Sequence, residues 1–206
     1  MLDMYAEYFR NPETYFNVLY LDDDPVSAAQ QHCDRHVTKM ILEAAQILST
    51  VWHTLHPEIT VLDWNTPTDN TPPRSSAWLR AELCGQRIYQ PQHHNHPCIQ
   101  WVSLHGGSYV WLYRLGQALL DEYEYRWERL HACAPILRTL ELVPPSLHDS
   151  MDTWTEAPTV MPSEFIRADA VSSYRQYYRK AKSHALNYTR RQPPEWVKDV
   201  SFYKEG

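Results

Sequence analysis

The chain has 206 residues and a formal net charge of −6, a size that suits one domain and can bury a full core without staples. The excess of acid excludes a protein whose whole surface grips nucleic acid, which needs a basic footprint, and leaves open only a local basic groove near the C-terminus. No stretch reaches the roughly 18 apolar residues of a membrane span, no secretory leader is visible, and Cys33, Cys84, Cys98 and Cys133 are too scattered for a disulfide framework.

The cytoplasm is therefore the expected compartment. Residues 15–21, apolar and aromatic, read as one short strand. Asp22, Asp23 and Asp24 then precede Pro25, which predicts a helix start with a capping carboxylate and proline at the first helical position. From 25 to about 55 no proline or glycine intervenes and apolar residues recur at helical spacing, which predicts one long helix. Residues 56–74 are proline-rich and read as a loop, residues 75–84 as a short serine-capped helix, and the segment up to Cys98 as polar and irregular. A second helical region is expected from Pro97, breaking at Gly106 and Gly107 and resuming from 108 to 131. A shorter helix over 135–142, a loop near 143–163 and a last helix from Asp169 to about 188 complete the pattern, with an irregular tail after Pro193 and Pro194. The expectation is an all-α, mostly helical single domain over 1–206, with allowance for one or two short N-terminal strands.

The first helix carries the most informative pattern. His32, His36, Lys39, Glu43 and Gln46 are spaced by four, three, four and three, which puts them on one narrow helical stripe. Val37, Ile41, Ala44 and Leu48 form the neighbouring apolar face. Two imidazoles, an ammonium, a carboxylate and an amide in line offer a base, an acid, a phosphate-binding cation and an orienting group. The plainer reading is the wet face of an amphipathic helix, with Lys39 and Glu43 a surface pair contributing a few tenths of a kcal/mol.

Before Pro97, His93, His94 and His96 fall within four residues. They could hold a divalent metal or supply a base near neutral pH, although the spacing matches no standard metal motif. Their plain alternative is a surface loop that hydrogen-bonds to backbone and caps a helix. The zinc-protease, P-loop, dinucleotide and nucleophile-elbow signatures are absent from the sequence. Farther on, Trp111, Leu115 and Leu119 read as core, and Glu122 with Arg126, four residues on, as a structural ion pair. The last helix interleaves Tyr174, Tyr177, Tyr178 and Tyr188 with Arg175, Arg179, Lys180, Lys182, Arg190 and Arg191. Such a helix suits a nucleotide or single-stranded nucleic acid, or else is a solvated basic helix with its tyrosines packed inward.

The segments YLDDDPVSAAQQHCDRHVTKMILEAAQILST, HHNHPCIQWV, YVWLYRLGQALLDEYEYR, MPSEFIRADAVSSYRQYYRKAK and PPEW span most of the chain. In them the sequence resembles a family of small helical proteins encoded by tailed bacteriophages. The resemblance implies a viral origin, hence a host-cell cytoplasm, and carries no reaction with it; it also suggests that stripe, histidine loop and Tyr–Arg helix belong to one design. The expected function is an enzyme acting on a nucleotide, nucleoside or nucleic-acid base by hydrolysis or glycosyl transfer. In that expectation His36, Glu43 and His94 are catalytic, with Glu43 the general base or charge stabiliser. His32, Lys39, Gln46, Asn95, His96, Trp101, Tyr174, Arg175 and Tyr178 surround the ligand, with Tyr174 or Tyr178 as a stacking surface, and His93, His94 and His96 are the metal candidates. Two rivals stand beside it: a non-catalytic nucleotide-binding or sequestering counter-defence protein, and a phage structural or host-interaction protein in which every polar stripe is structural.

Overall fold

Asp24 opens the first helix, α1 (Pro25–Gln31), by accepting the Ser27 amide on its carboxylate at 2.8 Å, with Pro25 in the first turn. The computed structural model describes residues 19–57, 61–62, 80–83 and 86–198, and most of these are helical. The expected single helix from 25 to 55 is in fact two. His32 and Cys33 are extended, and α2 (Asp34–Leu55) starts afresh after them. Tertiary partners take over the backbone groups at this joint: the Cys33 N–H donates to the Tyr178 hydroxyl at 2.7 Å and the Asp34 N–H to the Asn187 carbonyl at 2.8 Å. Periodicity continues through such a break, so the sequence pattern does not register it.

The apolar face of α2 is buried as its spacing predicts, with Val37, Ile41, Ala44 and Leu48 fully inaccessible. This face packs chiefly on α4 (Gly106–Trp127), whose Trp111, Leu112, Leu115 and Leu119 are also core. Between the two lies α3 (Pro97–Leu104), capped by His96, whose Nδ1 accepts the Cys98 amide at 3.2 Å. The break between α3 and α4 falls at His105, just before the expected glycines. Those glycines serve a close approach: a Cβ on Gly107 would collide with the Thr153 carbonyl, and one on Gly106 would meet the Leu147 carbonyl at 2.5 Å.

Helix α4 ends at Trp127, with Glu128 left-handed at φ 55°, and α5 (Ala134–Thr139) follows. The segment after it contains 3-10 turns at Pro145–Ser150 and Ser163–Phe165. Asp169 caps α6 (Ala170–Ala181) by accepting the Ser172 amide at 2.6 Å; this helix stops seven residues short of the expected end and passes into a 3-10 turn, Ser183–Ala185. A last short helix, α7 (Glu195–Lys198), stands where an irregular tail was expected.

Three short strands form an antiparallel sheet in the order β1 (Val61–Leu62), β2 (Arg80–Leu83), β3 (Gln86–Tyr89). They correct two expectations. The described part of the expected helix over 75–84 is a strand, and the stretch after it is regular at β3. The strand expected over 15–21 is not formed at Leu19, Tyr20 or Leu21, which are buried and non-helical; residues 15–18 lie outside the described residues. Polar side chains on the second half of α2 hold β3 and the turn beyond it. Ser49 Oγ accepts the Tyr89 N–H at 3.1 Å, His53 Nε2–H donates to the Tyr89 carbonyl at 3.0 Å, and Thr50 Oγ1 accepts the Gln92 N–H at 3.1 Å. Among the described residues, no helix is long and apolar enough to cross a membrane.

Candidate functional site

The stripe begins at the joint between α1 and α2. His32 is fully buried, and its Nδ1–H donates to the Ala28 carbonyl at 2.6 Å, which closes the end of α1. His36 lies on the first turns of α2, almost as buried, with Nδ1 at 3.4 Å from Cys33 Sγ. The Tyr178 ring from α6 packs on both imidazoles, with centroids 5.0 Å from His36 and 6.4 Å from His32.

Burial pushes the imidazole of His36 down to about 2, helped by the positive fields of His32, Lys182, Lys39 and Arg35. At neutral pH His36 is therefore a neutral, weakly basic ring. That corrects its expected role as an acid–base catalyst: it can orient a neighbour but is a poor proton acceptor. Arg35 and Lys39, four residues apart on α2, lie on its open side, and Lys182, only 5% exposed, reaches in from the end of α6 with Nζ 5.4 Å from the Tyr177 ring centroid.

Lys39 and Glu43 pair at 3.8 Å, with side chains 36% and 24% exposed. Glu43 also faces α3: its charge contributes, after burial, to pushing the Cys98 thiol up to about 12. Gln46, half-buried, follows one turn on. The stripe thus runs along a seam, with the end of α6 beside its first half and the start of α3 beside its middle. The histidine loop meets α2 farther along, where His94 Nδ1 lies 3.2 Å from Thr54 Oγ1.

The expected metal triad does not assemble. His93 is exposed in a left-handed turn at φ 49°, His94 faces Thr54, and His96 is spent on capping α3. Among the described residues no group of three or more His, Cys, Asp or Glu side chains is placed to hold a metal ion. Asn95 is exposed on the same loop.

The tyrosines of α6 correct a further expectation. Tyr174 and Tyr178 are fully buried, the first donating its hydroxyl to the Pro158 carbonyl at 2.7 Å, so neither can offer a ring face to an arriving base. Arg175 is engaged with the chain itself, donating to the Leu21 carbonyl and the Asp22 carboxylate, each at 2.9 Å. Trp101 is buried among Tyr20 and Trp111 and donates its indole N–H to the Thr155 carbonyl at 3.0 Å.

Three residues of the site escaped sequence reasoning. Cys33 sits three residues before His36, a Cys-x-x-His spacing visible within HCDRH. Lys182 looks like any other cation of the basic helix, and only the tertiary fold buries it against the Tyr177 ring. Asp34 has no helical partner to announce it, because its contacts come from Arg126 and Thr189. Comparisons with protein-family models, with curated proteins and with solved structures find no match to this chain.

Proposed function

We propose that this protein binds a phosphorylated ligand of the nucleotide class at the seam between α2 and α6, without transforming it. What supports this reading is that Arg35 and Lys39 lie four residues apart on the open side of α2 and that, with Lys182, they act as positive charges on His36 in a chain whose net charge is −6. Cations gathered against the overall sign of a protein raise the local concentration of an anion and hold it there. A neutral His36 suits a binder, since it can donate or accept a hydrogen bond without adding a titrating charge. In a protein of the phage family that the sequence resembles, such a site could sequester a nucleotide signal of the host.

Hydrolysis or glycosyl transfer with Glu43 as base is the second reading, favoured by the half-exposed carboxylate on the same seam as Lys39. One variant separates the two. In the binding reading Glu43→Gln removes a charge that repels the anion and releases Lys39, so affinity for ATP rises a few-fold. In the catalytic reading the same variant abolishes turnover of ATP or a nucleoside. The measurement is thermal unfolding with increasing ATP, because a ligand of the folded state raises the melting temperature, alongside analysis of the ATP for breakdown. A melting temperature indifferent to ATP would overturn the binding reading.

A further inference from the structure

The proposed anion site lies on α2; a different part of the molecule, the loop that lies over the start of α4, carries a surface of the opposite character. We infer that Trp154 and the carboxylates around it form a docking face for an arginine-bearing segment of a partner protein.

Trp154 is a large aromatic that is held in place and yet 40% exposed. One face of its indole stacks on the fully buried Tyr20 ring, with centroids 6.3 Å apart and planes at 26°. The residues on either side are fastened to the fold. The Thr155 carbonyl accepts the Trp101 indole N–H at 3.0 Å, and the Thr153 carbonyl lies so close to Gly107 that a Cβ there would collide with it. The Thr153 N–H donates to the Ser150 carbonyl at 3.0 Å. An aromatic anchor fixed in this way loses little freedom when a partner is laid on it, which is the property of an interface hot spot.

The surroundings set the charge of that partner. Residues 139–166 contain five carboxylates and no lysine or arginine. Asp152 and Glu156, both exposed, stand two residues to either side of Trp154, so their backbones are within about 7 Å of its own. A further carboxylate comes from a distant part of the chain. Asp23, exposed ahead of α1, accepts the Tyr20 hydroxyl at 3.0 Å on one of its two oxygens. The Tyr20 side chain therefore joins the indole and a carboxylate at one place. Such a face repels nucleic acid and anionic lipid and attracts a cation.

Contacts inside the chain itself indicate which cation. Arg175 lies over the Trp196 ring at 5.4 Å and pairs with Asp22 at 2.9 Å. Arg191 lies over the Tyr125 ring at 4.5 Å and pairs with Glu122 at 2.8 Å. In both, a flat guanidinium covers an aromatic face while its edge reaches a carboxylate, a combination that the compact lysine ammonium matches less well. Trp154 with its carboxylates presents the same two surfaces outward, and among the described residues no arginine or lysine lies over it.

The test follows the Trp154 indole N–H by NMR of the full chain, the signal being assigned by its loss in Trp154→Leu. The chain is titrated with acetyl-Gly-Arg-Gly-Arg-Gly-amide and with the same peptide carrying lysine or uncharged citrulline in place of arginine. The expected result is a saturable shift with the arginine peptide, affinity about 2- to 5-fold weaker for the lysine peptide, and no shift with citrulline. Asp152→Asn and Asp23→Asn should each weaken the arginine peptide by about 2- to 5-fold. Asparagine keeps the shape of aspartate and can still accept the Tyr20 hydroxyl, so the loss reports the charge. A Trp154 signal that does not move, an equal shift with citrulline, or affinity unchanged in both variants would overturn the inference. So would a shift with phosphatidylcholine vesicles and none with the peptides, which would make the face a lipid surface. ATP binding at α2 is measured separately, so either proposal can fail without the other.

Discussion

At the first turn of α2, Asp34 joins a set of charges in which cations and carboxylates alternate. Arg126 is flanked by Glu122 at 2.7 Å and Asp34 at 2.9 Å, and Arg191 closes on the other side of Glu122 at 2.8 Å. Asp34 also accepts the Thr189 amide and hydroxyl, so the set clasps the segment after α6 onto the start of α2 and the end of α4. Farther along α2 the pattern changes. Lys182, Lys39 and Arg35 all hold the His36 imidazole down by their positive charge, and Glu43 stands 3.8 Å from Lys39 at the solvent edge. The contrast separates two uses of charge. Where buried charges neutralise one another the arrangement is complete and holds the chain together; a local excess of positive charge is what the proposed anion site would need.

The largest expected effect comes from breaking the clasp. The Arg126 side chain is fully buried and makes hydrogen bonds to Glu122, Asp34 and the Gln30 carbonyl. Removing it leaves Glu122, itself 3% exposed, with Arg191 as its one counter-charge among the described residues. Arg126→Met should therefore lower unfolding free energy by about 3–5 kcal/mol, the range for stranding one member of a buried pair. Chemical denaturation reads this directly. A loss below about 1 kcal/mol would mean that the clasp is no more than a surface pair and would erase the contrast.

A second, smaller effect separates the two regions by pH. His36 is neutral in the folded protein down to about 2, whereas in the unfolded chain it takes up a proton near its ordinary value of about 6.5. The unfolded state therefore binds more protons between these limits. The stability this confers is fully present above about 6.5 and is lost as the pH falls toward 2. From pH 7 to pH 5 the contribution of this one group falls by about 2 kcal/mol. His53, His96 and His131, also depressed by burial, add to the slope in the same direction. Comparing His36→Gln with the unaltered protein isolates the share of His36. Equal slopes in the two proteins would show that His36 is protonated in the folded state and that the cations around it do not act as described.

How much of this was legible in the sequence depends on the range of the interaction. Local signals were read correctly: Asp24 with Pro25, Asp169 as a cap, the apolar face of α2, and Glu122 with Arg126 at a spacing of four. The helical class follows from the same signals. Contacts from far along the chain were not legible. The break at His32 and Cys33 depends on Tyr178 and Asn187, more than 140 positions away, and the inward packing of Tyr174 and Tyr178 depends on what α6 rests against. For the site, the stripe was visible because 3.6 residues per turn align it. Cys33 and Lys182 were not distinguished, since a basic helix reads alike whether a given lysine faces solvent or packs on a buried ring. The strand at Arg80–Leu83 went unread because so short a segment, Arg-Ala-Glu-Leu, fits the pattern of a helix as well as that of a strand.

The smallest expected effect tests the seam from the side of stability. Lys39 and Glu43 form an i, i+4 pair with the lysine nearer the N-terminus, the less favourable order, and both side chains are partly solvated. Such a pair contributes about 0.2–0.5 kcal/mol at most, an order of magnitude less than the buried arginine of the clasp. Glu43→Gln should accordingly leave the denaturation midpoint almost unmoved while strengthening the attraction of the seam for anions. That combination, unchanged stability with tighter phosphate binding, is what a charge placed for a ligand would give. A drop in stability comparable with Arg126→Met would instead make Glu43 part of the architecture and would leave Lys39 as a structural partner with no anion to hold.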